Sequence, residues 1–116
     1  MQKLQSNFEK ISWNEIKKGQ MIVISSKALL YKYLARITDG PYNSGKGYKF
    51  EVIVLNGGYK ASIELPIFKM VNPQTGLKVM YRDLTIEAHN VSSSIQNEHP
   101  YFILSSFERF VNASRY

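Results

Sequence analysis

The residues of this chain whose types and spacing could do chemistry are lysine, arginine and tyrosine, and they crowd one stretch. Residues 27–60 carry Lys27, Lys32, Arg36, Lys46, Lys49 and Lys60 against Asp39 and Glu51, a net charge of +4 in a chain whose total is +6. Residues 61–116 are neutral, so the excess sits in the first half. Five of the eight tyrosines, Tyr31, Tyr33, Tyr42, Tyr48 and Tyr59, lie in the same stretch. Cationic heads meet phosphates and aromatic faces stack on bases, so this combination suits nucleic-acid binding. Lys32, Arg36, Lys46, Lys49 and Lys60 are the candidates for phosphate contacts. Tyr42, Tyr48 and Tyr59 are the candidates for stacking on bases or packing on sugars. A basic face with tyrosines is also ordinary protein surface, and it would equally dock an acidic protein partner.

Gly40-Pro41-Tyr42-Asn43-Ser44-Gly45-Lys46-Gly47 departs by one residue from the phosphate-loop pattern G-x-x-x-x-G-K-[ST]. In that pattern the loop amides and the lysine hold phosphates, and the terminal hydroxyl holds magnesium. Gly47 removes the hydroxyl, and a strand pattern follows where a helix N-terminus is required. A nucleotide hydrolase is excluded. A flexible loop with free amides and one cation remains, serving either as a phosphate contact or as a plain hairpin connection.

Nothing else in the chain assembles a reaction centre. His89 and His99 are the two histidines, separated by a polar loop and lacking metal-ligand spacing, so both are expected to be solvated or structural. Asp83, Glu87 and Glu64 have no fixed separation that would pair them as acid and base, and Ser92–Ser94 lack a nucleophile elbow. With no cysteine, thiolate metal sites, Cys nucleophiles and disulfides are all absent. The expectation is a non-enzymatic protein without cofactor or metal.

The elements that must position these side chains read as mainly β. Phe8 and its neighbours show no clear period, so residues 1–10 are expected to form a loose N-terminal arm or a short helix. Ser12-Trp13-Asn14-Glu15 matches a capping box, predicting one helical turn that ends at Gly19 with Trp13 and Ile16 inward. Gln20–Ile24 is a first strand by its β-branched run. Lys27–Thr38 fits both a helix and a strand; a strand from Tyr31 to Thr38 is favoured because it feeds the glycine loop and then the strand Tyr48–Leu55. In that reading Lys32 and Arg36 point outward beside Lys49. Asn56-Gly57-Gly58 turns the chain into a return strand, Tyr59–Leu65, broken at Pro66. Ile67–Val71 follows, then a turn over Asn72–Gly76 and a further strand within Leu77–Ile86 with Val79, Tyr81, Leu84 and Ile86 inward. Asn90–Asn97 is a polar loop.

After Pro100 the period changes. Ile103, Leu104, Phe107, Phe110 and Val111 recur at helical steps, predicting an amphipathic helix over 100–112. Its simplest role is to cover the sheet. The alternative is a partner-binding or homodimer-forming surface through Phe107 and Phe110. The whole pattern, a single domain over residues 1–116, looks like a small SH3-like or OB-like barrel of four to six short antiparallel strands with an N-terminal helical turn and a C-terminal helix. At this length one domain is expected. No apolar run nears the roughly 18 residues that span a bilayer, and no signal-peptide core is visible, so a soluble cytoplasmic protein is expected. DNA or RNA is the leading partner, in a viral or regulatory setting.

Overall fold

The computed structural model of the protein describes residues 6–27, 32–44, 47–64, 67–71, 75–76, 78–82 and 86–113. Among these residues eight strands and one helix follow in order: β1 (Phe8–Ile11), β2 (Met21–Ser26), β3 (Lys32–Ser44), β4 (Gly47–Val54), β5 (Tyr59–Glu64), β6 (Ile67–Val71), β7 (Lys78–Arg82), β8 (Ile86–Val91) and α1 (Pro100–Ala113). All described pairings are antiparallel and make one sheet ordered β1-β8-β2-β3-β4-β5-β6-β7. The chain is therefore mainly antiparallel β with a C-terminal helix, as its sequence predicts. The strands are more numerous than expected, and β3 is 13 residues long. No described pairing joins β7 back to β1, so barrel closure is not among the described pairings.

The sheet is buried on both sides near its centre, and β2 shows why. Met21, Ile22, Val23 and Ile24 are all buried, as a continuous apolar run in a central strand should be. Side chains alternate across a strand. Ile22 and Ile24 join one cluster with Ala35, Ile37, Phe50, Val52, Val54 and Ile63. Met21 and Val23 join the other with Phe8, Leu34, Val91, Ile103 and Phe107, where α1 covers the sheet. Among the described residues no α-helix covers the first cluster, and the sheet curls around its own inner side. Trp13, in a 3-10 turn directly after β1, lies 6.0 Å from Phe50 on β4. Four strand spacings in a flat sheet would separate those strands by about 19 Å.

Several local expectations are corrected. Phe8–Ile11 is a strand paired with β8, not part of a loose arm, because Phe8 buries against α1. Ser12 makes no side-chain cap, so Trp13–Glu15 is a single 3-10 turn rather than a capping-box helix. Ile16 is buried and Trp13 half-buried, as predicted. The ambiguous stretch before Thr38 is strand from Lys32 onward, while Tyr31 lies outside the described residues. The expected loop Gly40–Gly47 is strand up to Ser44 and strand again from Gly47; Gly45 and Lys46 lie outside the described residues. Shifts of register at Ile37/Asp39 and Asp39/Tyr42 absorb the irregular sequence. The segment expected as one partner within Leu77–Ile86 is two strands, β7 and β8. Of the residues expected inward there, Ile86 is buried, whereas Val79, Tyr81 and Leu84 fall outside the described residues and side chains.

Candidate nucleic-acid interface

Strand alternation and register decide which cations share a face. Leu34 on β3 sits under α1, so Arg36, two residues on, points to that same outer side. Register carries the row across the sheet: Arg36 opposes Ile53 on β4, and Ile53 opposes Lys60 on β5. A second row on this side runs from Glu51 through Ser62 and Lys69 to Met80. Lys60 is two residues from Ser62, and Lys78 is two residues from Met80. Lys60, Lys69 and Lys78 are thus diagonal neighbours on three successive strands, about 7–8 Å apart by backbone geometry. All three are exposed, and none has a carboxylate within ion-pair reach among the described residues.

Three other cations are engaged by carboxylates. Lys49 lies 3.8 Å from Glu51, Lys32 lies 3.0 Å from Glu108 of α1, and Lys10 lies 3.4 Å from Glu87. The Tyr42 hydroxyl donates to the Asp39 carboxylate, and the Gly40 amide donates to the same carboxylate at 2.9 Å. Those two hydrogen bonds, the Tyr42 one first, hold the Asp39 carboxyl below its ordinary range. The same bond to Asp39 pushes the Tyr42 hydroxyl up. On the β3–β4 hairpin Glu51 therefore engages Lys49, and Asp39 engages the Tyr42 hydroxyl.

No protein-family model, curated protein or solved structure matches this chain. What the face can bind follows from its own geometry.

Of the residues expected at a nucleic-acid interface, Arg36, Lys49 and Lys60 share the outer side, and Tyr42 opposes Lys49 there. Arg36 also donates to the Gly19 carbonyl at 3.1 Å, which fixes its guanidinium near the rim of the sheet. Lys32 is on this side too, but its ammonium is held by Glu108. Tyr59 alternates with Ala61 and Ile63 and packs half-buried on the inner cluster, so it cannot stack bases on the face that bears Lys60. Tyr48 is exposed beside Asn43 near the end of the hairpin, on the Phe50 side of β4. Lys46 lies outside the described residues.

Lys69 and Lys78 are the additions that a reading of the sequence missed. Alternation in Ile67–Val71 and Lys78–Arg82 hints that both are solvent-facing, but their nearness to Lys60 depends on the register of three strands. The expected partner surface on the helix is corrected. Phe107 is fully buried and Phe110 half-buried, because both rings close on Phe8 at 5.3 and 5.7 Å. Tyr101 and Phe102 are the aromatic side chains that α1 exposes instead.

The histidines have structural settings. The His99 ring stacks on Tyr101 at 5.2 Å, and its Nδ1 accepts the Tyr101 amide at 3.2 Å, capping the start of α1. His89 is buried beneath α1, next to a cleft of about 440 Å³ lined by Ser25, Lys27, Lys32, Glu108 and Asn112. Among the described residues no three His, Asp or Glu side chains converge as metal ligands. No described helix is long and apolar enough to cross a membrane.

Proposed function

We propose that the protein binds nucleic acid through the phosphate backbone, with Arg36, Lys60, Lys69 and Lys78 as the contacting cations and no catalytic step. The observation that supports this is the diagonal of three exposed lysines on β5, β6 and β7, without carboxylate partners among the described residues. Phosphate contacts carry no sequence information, and the removal of Tyr59 to the inner side leaves this face poor in stacking surface. The reading is therefore sequence-independent binding, in an intracellular setting, with duplex favoured over single strands.

Fluorescence anisotropy with duplex DNA, single-stranded DNA and RNA at about 50 mM and about 200 mM salt tests it. Four phosphate contacts predict a log–log salt slope of about −3.6 on duplex and about −2.8 on a single strand. Absence of binding to all three at the lower salt ends the proposal. A second reading, docking of an acidic protein on the same face, is favoured by Met80. That side chain is 62% exposed directly across from Lys69, an apolar contact for which a phosphate backbone has no use. Partner capture that survives nuclease and is lost on Met80→Gln would select it.

A further inference from the structure

His89 sits in the middle of β8, which runs between β1 and β2, on the side that α1 covers. It is 8% exposed. Its ring centroid is 5.0 Å from Phe107 at an interplanar angle of 66° and 6.1 Å from Phe110 at 74°. Its Nδ1 is shut off from solvent and has no hydrogen-bond partner among the described residues. The charged groups around it are mostly committed to each other. Lys10, its register partner on β1, pairs with Glu87 of β8, and Lys32 of β3 pairs with Glu108 of α1. Lys27, following β2, lines the same cleft. An imidazole thus occupies the seat of an apolar side chain in the interface that holds the helix.

From this geometry we infer that α1 is an acid-releasable cover: it stays docked while His89 is neutral, and its hold loosens once His89 takes a proton, uncovering Phe8, Met21, Val23, Leu34 and Val91. An imidazolium carries N–H on both ring nitrogens. Whichever nitrogen bears the proton in the neutral ring, charging it leaves a buried Nδ1–H with nothing to accept it, beside two phenyl rings. Lifting α1 gives that nitrogen access to water.

Burial pushes the His89 imidazole below its ordinary range, with Glu87 pulling it up and Lys10 pushing it down by less. The sign follows from linkage. Above about pH 6.5 the released and docked states are both neutral and docking is at full strength. Below it, the released state binds a proton that the docked state refuses. The release constant then rises up to about ten-fold per pH unit, until the pH passes through the lowered value of the docked state.

Hydrogen exchange of the α1 amides, corrected for intrinsic rates, between about pH 7.5 and about pH 5.5 tests the device. The expected result is protection in α1 falling about ten-fold per unit below about pH 6.5 relative to β3–β5, with His89→Leu abolishing that dependence and His99→Gln retaining it. Undiminished pH dependence in His89→Leu, or none in the unmodified protein, overturns the inference. Should His89→Leu not fold, NMR titration of the His89 ring in the unmodified protein decides the matter. Proton uptake in step with loss of α1 protection supports release, whereas uptake with α1 protection intact overturns it.

Discussion

Gly40 sits where β3 passes close to the backbone of β4. A Cβ added there would lie 2.8 Å from the Lys49 carbonyl oxygen and 3.2 Å from the Phe50 Cα, both backbone atoms. Its φ of 104° is also one that side-chain-bearing residues rarely adopt. Contact and backbone strain add, so Gly40→Ala is expected to cost about 1–3 kcal/mol. Urea denaturation would show this as a lowered midpoint with an unchanged slope; an unmoved midpoint would mean that the two strands part at little cost. A Gly-Pro pair reads as a loop in a bare sequence, since both residues punctuate chains. The close approach that makes this glycine part of a strand involves Lys49 and Phe50, which no local pattern links to it.

At the scale of elements, legibility followed how local the cause was. The helix expected over 100–112 is α1, Pro100–Ala113, because its period and its initiating proline are properties of the segment itself. β2, β4, β5 and β6 were legible for the same reason, from β-branched and aromatic runs between turn residues. β1 was not, because Phe8–Ile11 becomes a strand only by pairing with residues 88–91. Lys27–Thr38 fits two periods, and from Lys32 onward its neighbours β2 and β4 settle it in favour of strand. The role of α1 is open to a direct measurement. Phe107 is fully enclosed between the helix and the sheet, whereas Phe102, on the same helix, is 48% exposed. Phe107→Ala should therefore lose about 3–5 kcal/mol in equilibrium unfolding, and Phe102→Ala about 0.5 kcal/mol or less. Comparable losses at both positions would contradict α1 as a one-sided cover.

At the scale of the whole molecule, charge acquires meaning only once the sheet is assembled. Residues 61–116 sum to neutral, which hid Lys69 and Lys78 behind acidic residues of which Glu87 and Glu108 fold elsewhere, while Glu64 stays on β5 beyond ion-pair reach of either lysine. Glu87 goes to Lys10 and Glu108 to Lys32, both on the side of the sheet that α1 occupies. What has no ion pair on β5, β6 and β7 among the described residues includes three lysines on adjacent strands, like charges that repel one another and outnumber the Glu64 carboxylate on that face. Such a face is held against stability, and binding and folding should then respond in opposite ways to its removal. Lys60→Gln, Lys69→Gln and Lys78→Gln combined should weaken nucleic-acid binding by more than about ten-fold at low salt and flatten the salt slope by about 2–3. The thermal midpoint of the same variant should hold or rise, since exposed substitutions away from caps and cores usually stay within about 0.5 kcal/mol and here relieve repulsion. A fall in that midpoint by several degrees would make the lysines structural through their aliphatic stems. Unchanged affinity with an unchanged midpoint would clear this face of the binding role and leave Met80 and the exposed aromatic side chains of α1 as the surfaces to examine next.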